Sequence, residues 1–186
     1  MTAKNEVETS AAKTYKETSI GRIAELLRKF KKTDDYSCVL LIGAGCSISA
    51  GIPLASEMVK TIKEENPNLF KEFPSDNYQK CMSQLLPVEQ RLFIKKVLKD
   101  RKVNWAHIVM GQLMQHDYVD RVLTINFDNL ILRAAMLAGF IPAVYDLAST
   151  HTLDTRYIAD KAVFYLHGQE TGFIHIHDDK TEEGQG

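Results

Sequence analysis

The sequence predicts an α/β protein: a Rossmann-like parallel sheet carrying a helical insert. Three observations lead there. Short runs rich in branched apolar residues occur at Val39–Ile42, Arg121–Phe127 and Ala162–Leu166, each too short for a helix and suited to a strand buried on both faces. Each run leads into residues that bend the chain or carry polar chemistry: Gly43-Ala44-Gly45, Asn126-Phe127-Asp128 and His167-Gly168. Between them lie stretches with apolar residues at helical spacing. In an open parallel sheet, functional groups gather beyond the carboxyl ends of the strands, so these three strand ends are the candidate site.

Taken in order, residues 1–15 are polar and without pattern, a predicted disordered tail ahead of a domain over 16–177. Ile20, Ile23, Leu26, Leu27 and Phe30 share one helical face, and Thr18 or Ser19 can cap it. The strand at Val39–Ile42 follows, then the glycine turn. A helix is predicted over Ala55–Glu65, ended by Asn66-Pro67. Residues 67–116 read as a helical insert beside the sheet. Its helices are Ser75–Leu86 with Ser75 as N-cap, Pro87–Leu98, and Asn104–Gln115. The second strand is Arg121–Phe127, and the helix after it runs Asp128–Ala138, opened by Asp128 and closed by Gly139. A short strand at Ala143–Asp146 and a third main strand at Ala162–Leu166 complete the pattern. Gly172–His177 is a possible hairpin return, and residues 178–186 form a polar tail.

Composition bounds the function. The chain has 186 residues and a formal net charge of −1, so nothing indicates general nucleic-acid binding. No apolar run reaches membrane-spanning length and the N-terminus has no signal-peptide core, which excludes a membrane partner at this stage. The cysteines Cys38, Cys46 and Cys81 are scattered, without C-x-x-C spacing, which predicts a cytoplasmic, reducing location and no structural zinc.

The glycine turn carries the first chemical signal. Bare glycines let a backbone approach an anion, and free N–H groups at a following helix start can face it, so Gly43, Ala44 and Gly45 predict contact with a nucleotide diphosphate. A P-loop is excluded because no Gly-Lys pair follows, and the dehydrogenase fingerprint fails at Ile48, where its third glycine would stand. The alternative is a tight strand-to-helix turn with no ligand. Asn126 and Asp128 can be a turn residue and a helix cap, or groups that orient a substrate. His167 can be a satisfied histidine or a general base. His175, His177 and Asp178 are possible metal ligands, but H-x-H on a strand is more often incidental, so no metal is predicted. His107, His116 and His151 carry no pattern, and Cys46 reads as a small packing residue.

Together the three segments resemble the sirtuin family. GAGCSISAGIP is similar to the sirtuin G-A-G-x-S-x-x-x-G-I-P, with Gly51-Ile52-Pro53 in register. TINFDNL is similar to T-Q-N-I-D-x-L, and LHG to the strand ending in His-Gly. The resemblance covers Ser37–Gly168 and implies cleavage of the nicotinamide–ribose bond of NAD, with NAD as substrate. It implies that Gly43, Ala44 and Gly45 line the diphosphate, that Ser47, Asn126 and Asp128 surround the nicotinamide and its ribose, and that Asn126 and His167 are catalytic, His167 as the base at the ribose.

Departures from the deacylases refine the expectation. Leu54-Ala55-Ser56 stand where deacylases have Asp-Phe-Arg, no paired cysteines follow His167, and the interval from Asn126 to His167 is longer. These features resemble the sirtuin-like NAD hydrolases of bacterial anti-phage defence. That implies release of nicotinamide and ADP-ribose, depletion of NAD, and action through a homo-oligomer or attached sensor or effector domains. The alternatives are a nucleotide-sensing module without turnover and, less favoured, a protein-lysine deacylase. Sirtuin sheets continue past the His-Gly, whereas only a short polar stretch follows here. The expectation is therefore a domain lacking its C-terminal strands, inactive or nearly so as an isolated chain, with Ala162–Leu166 unpaired and its apolar edge open to self-association.

Overall fold

The computed structural model describes residues 20–33, 38–72, 74–149, 156 and 158–169. The tails at 1–15 and 178–186, the candidate caps Thr18 and Ser19, His151, and the return at Gly172–His177 lie outside them. The chain divides into two units, Met1–Cys38 and Val39–Gly186. The first contains helix α1, Ile20–Lys31, whose last turn carries Arg28, Lys29 and Lys31, cations suited to a helix C-terminus. Its end is closed by the Thr33 hydroxyl, which donates to the Phe30 carbonyl at 3.1 Å.

The second unit is built on a four-stranded parallel sheet of β1 (Val39–Ile42), β2 (Arg121–Thr124), β3 (Ala143–Asp146) and β4 (Ala162–Tyr165), in the order β1-β2-β4-β3. Val39 pairs with Arg121, Arg121 with Ala162, and Ala143 with Ala162. This is the α/β architecture expected. One expectation fails: β4 is an interior strand, paired on both sides and buried at every residue, so its edge is not open. Its burial on both faces accounts for its uninterrupted apolar sequence. Tyr145 of β3 stacks on Phe164 of β4 with ring centroids 4.8 Å apart.

The helices between β1 and β2 are α2 (Ala55–Glu65), α3 (Pro67–Glu72), α4 (Tyr78–Ser83), α5 (Pro87–Leu98) and α6 (Trp105–Gln115). The backbone N–H of Leu54 donates to Glu57 at 2.9 Å, and that of Leu86 to Glu89 at 2.7 Å, so two of these helix starts are closed by an acidic residue in the first turn. Pro67 opens α3 as well as ending α2, because proline at a first helical position sacrifices no hydrogen bond. Helix α4 is shorter than expected. Its N-cap is Asn77, whose side chain accepts from Lys80 N at 3.1 Å, and Ser75 instead accepts from Asn77 N at 3.2 Å. Ile62, Cys81, Met82 and Ile94 lie in one buried cluster, so α2, α4 and α5 share a core.

After β2 the chain leaves the sheet at Ile125, earlier than expected, and α7 spans Leu130–Leu137 rather than starting at Asp128. Helices α6 and α7 approach closely at Gly111, where a Cβ would lie 2.8 Å from the Ala134 carbonyl oxygen and 2.9 Å from its carbon. Backbone cannot yield as a side chain can. Gly111→Val is expected to cost about 3 kcal/mol of unfolding free energy, the upper end for overpacking. Denaturant titration measures it, and a loss below about 0.5 kcal/mol, the scatter of ordinary surface changes, would mean that the helices do not meet here.

Candidate functional site

Beyond the carboxyl end of β1, Gly43 is extended and Ala44–Ala50 winds into a 3-10 helix, which Gly51 ends in a left-handed conformation with φ 86°. The positive φ and a Cβ position 2.8 Å from Arg101 Nη1 make Gly51 the position in this turn that demands glycine. Gly45 differs: its backbone is not left-handed, and a Cβ there would meet nothing within 4 Å. The expected α-helix does not follow the glycine pair directly. The short 3-10 turn intervenes, with its first internal bond from Cys46 N to Gly43 O at 3.0 Å. The N–H groups of Ala44 and Gly45 precede that bond.

Beyond β2, Asn126 bends back toward this turn. Its backbone N–H donates to Thr124 Oγ1 at 3.0 Å. Its side-chain Nδ2 donates to the Gly43 carbonyl at 3.2 Å and to Ser47 Oγ at 3.1 Å. Asn126 thus ties two strand ends together, and its amide nitrogen is spent on protein acceptors. Asp128 is buried. Its Oδ1 accepts from Leu130 N at 3.0 Å, the local bond that starts α7, and its Oδ2 accepts from Ser47 Oγ at 2.9 Å. The Tyr165 hydroxyl of β4 donates to the Asp128 carbonyl at 3.0 Å, which fixes the third strand against the second. Burial first, then the Asp128 and Asp146 carboxylates, push the Tyr165 phenol well above its ordinary range.

The third strand end delivers His167 to the surface, exposed and without a hydrogen-bond partner among the described residues. Gly168 follows with φ 84°, and Gln169 N donates to Asp146 Oδ2 at 3.3 Å. Asp146 also accepts from Ala148 N at 3.1 Å and Ser149 N at 3.3 Å, so it organises the loop after β3 beside the His-Gly turn.

Ala44, Ser47, Asn126, Asp128 and His167 all line one cavity of about 230 Å³. Gly43 and Gly45 do not line it. The remaining wall is apolar: Ile52 and Met58 from the start of the chain's excursion, Ile94 and Val97 from α5, and Phe127. The helical insert is therefore a wall of the cavity, a role that its amphipathic pattern did not disclose.

His107, which showed no sequence pattern, belongs to the site. It sits in α6 with no exposure, and its Nε2 is 3.4 Å from Ser47 Oγ and 3.8 Å from Cys46 Sγ. Asn104 caps α6 by accepting from His107 N at 3.0 Å and reaches the 3-10 turn, donating to the Cys46 carbonyl at 2.7 Å and Ser49 Oγ at 2.8 Å. Burial lowers the His107 pKa, opposed by the Asp128 charge, so the ring is held neutral. Burial and the same carboxylate raise the Cys46 thiol, opposed by hydrogen bonds from Ser47 and Asn126. A raised thiol is a poor nucleophile, in keeping with a packing role.

The site thus offers an apolar cavity, a buried polar end of Ser47, Asn126 and Asp128, and an imidazole at the mouth. Among the described residues no group of three or more His, Cys, Asp or Glu side chains is placed to hold a metal ion, and no helix is long and apolar enough to cross a membrane.

No protein-family model matches the sequence, and no curated protein sequence matches it. Among solved structures the chain is similar to a Sir2 homologue in complex with NAD, at 20% identity and a TM-score of 0.43, over 78% of this chain and 45% of that one. It is also similar to a mutant Sir2 homologue in complex with ADP-ribose, at 23% identity and a TM-score of 0.38, over 59% of this chain and 42% of that one. The chain spans less than half the length of either.

Proposed function

We propose that the chain carries the NAD-cleaving site of an NAD glycohydrolase, which breaks the nicotinamide–ribose bond and releases nicotinamide and ADP-ribose. The observation that supports this reading is the meeting of the GAGCS, NFD and HG segments on one cavity, since these are the segments that resemble the NAD-cleaving motifs of sirtuins. In this reading the nicotinamide ring enters the apolar cavity, with its carboxamide toward Asp128 and Ser47. The diphosphate lies over the backbone of Gly43, Ala44 and Gly45, on the open side of Gly45.

The chemistry asks little of a general acid. When the C–N bond breaks, its electron pair passes to the pyridinium nitrogen and nicotinamide leaves neutral. The ribose carbon becomes oxocarbenium-like, as in glycoside hydrolysis. Asn126 Oδ1, the end of that amide left over once Nδ2 is engaged, can hold the attacking water or a ribose hydroxyl. His167 at the mouth takes a proton from that water as it adds to the anomeric carbon. Two oxygens of the buried Asp128 already accept one bond each and retain lone pairs for the carboxamide N–H. In the resembling anti-phage hydrolases this chemistry depletes NAD, and we extend that role, with assembly into a larger homo-oligomer or with sensor domains, to this protein.

The test is incubation of the protein, with its native C-terminus, with NAD alone and with NAD plus an acetylated peptide. The expected result is nicotinamide and free ADP-ribose in equal amounts without peptide. Binding of NAD without turnover would replace the proposal with a nucleotide sensor. An O-acetylated product formed only with peptide would replace it with a deacylase.

A further inference from the structure

We infer that His107 is a positioning residue of this site: its Nε2–H donates to Ser47 Oγ and so turns the serine proton onto Asp128. The inference rests on the NAD-cleavage reading for its ligand, but not for its geometry. A hydroxyl has one proton to give and two lone pairs to receive. Around Ser47 Oγ stand Asp128 Oδ2 at 2.9 Å, Asn126 Nδ2 at 3.1 Å and His107 Nε2 at 3.4 Å. The carboxylate only accepts, so it takes the hydroxyl proton. The amide NH₂ only donates, so it fills one lone pair. The Cys46 thiol also lies near, with Sγ at 3.6 Å from Ser47 Oγ, but S–H is a weak donor, so the stronger donor for the remaining lone pair is the imidazole at 3.4 Å, with Nε2 carrying the proton.

The opposite tautomer would set a bare Nε2 against a hydroxyl whose proton is already committed. The chosen tautomer leaves Nδ1 as a bare acceptor, and Nδ1 is indeed buried without a partner among the described residues. An unpartnered nitrogen in the core is a cost that an aliphatic side chain of similar size would avoid. Packing alone therefore gives no reason for a histidine here. The ring is also held in place by more than its own helix. Asn104 accepts from His107 N and donates to the Cys46 carbonyl and Ser49 hydroxyl, so the first turn of α6 is tied to the 3-10 turn. The consequence for a ligand is that the committed Ser47 hydroxyl holds the Asp128 carboxylate in one orientation, so its remaining lone pairs meet the cavity in one fixed arrangement rather than several rotamers.

Two measurements decide it. Imidazole ¹⁵N–¹H correlation spectra of the protein, with the His107 signal assigned by its loss in His107→Gln, are expected to show a neutral ring protonated at Nε2. A ring protonated at Nδ1 with Nε2 bare overturns the inference, and this readout holds whether or not the protein cleaves NAD. Kinetics supply the second. His107→Leu, similar in size and without a donor, is expected to keep a parental melting temperature and lose about tenfold in kcat/KM for NAD, the scale of one hydrogen bond. His107→Gln, which retains an N–H at the side-chain end, should recover most of that loss. Parental kinetics in His107→Leu, or equal losses in both variants, would show that the donor is not what matters. If the parent shows no NAD cleavage, the proposed function fails, while the tautomer still decides the role of His107.

Discussion

His167→Ala is expected to slow NAD hydrolysis by about 10²–10⁴-fold, the usual contribution of a positioned base, while NAD affinity stays within about threefold of the parent. The separation of the two effects follows from where His167 sits. It is exposed at the mouth of the cavity, engages no hydrogen-bond partner among the described residues, and so can be removed without disturbing the Ser47–Asn126–Asp128 cluster beneath it. Asn126→Ala should cut turnover on the same scale but behave differently in binding. Its Nδ2 holds both the Gly43 carbonyl and Ser47 Oγ, so its loss also slackens the glycine turn and affinity falls with rate. Single-turnover kinetics beside calorimetric titration separate the two. Parental turnover in both variants would remove the catalytic assignment.

Gly45→Val is expected to lower NAD affinity about 100-fold or more through direct overlap with the bound diphosphate, with no change in melting temperature. Gly45 does not adopt the left-handed region, and a Cβ there meets no protein atom within 4 Å. A branched side chain therefore meets no protein atom there and would stand in the space proposed for the diphosphate. Unchanged affinity would remove the diphosphate from this face of the turn. A fallen melting temperature would show instead that the turn tolerates no side chain.

The local grammar of the chain was legible where a single cue decides. Leu86-Pro87 with Glu89 sets the start of α5, and Asn66-Pro67 the end of α2; both bounds agree with the sequence expectation. Competing cues misled. Pro67 both ends one helix and opens another, and Ser75, expected as the cap of α4, gives way to Asn77, whose side chain accepts from Lys80 N. Strand length was overestimated at Ile125–Phe127 because apolar residues there line the cavity or the surface rather than the sheet. The strand ends that bring Ser47, Asn126, Asp128 and His167 to one cavity were legible because the functional groups of an open parallel sheet gather beyond the carboxyl ends of its strands. His107 was not, since what distinguishes it is a neighbour sixty positions earlier in the chain. Only Asn104, three residues before it, hinted that the first turn of α6 was fixed in place.

The order of strands in the sheet has a bearing on how the protein is made. β3 precedes β4 in the chain, yet its hydrogen-bonded neighbour is β4. As the polypeptide leaves the ribosome, β1 and β2 can pair as soon as Thr124 has emerged, but Ala143–Asp146 has no ladder to join until Tyr165 is also free. At ordinary elongation rates of about 5–20 residues per second, that leaves the β3 segment waiting for seconds. Ile141 and Val144, which stay exposed even in the folded unit, would be presented throughout that interval. The β3 segment is thus apolar surface that a nascent-chain chaperone could cover, and truncation of the message before β4 would leave β3 without the strand it pairs with.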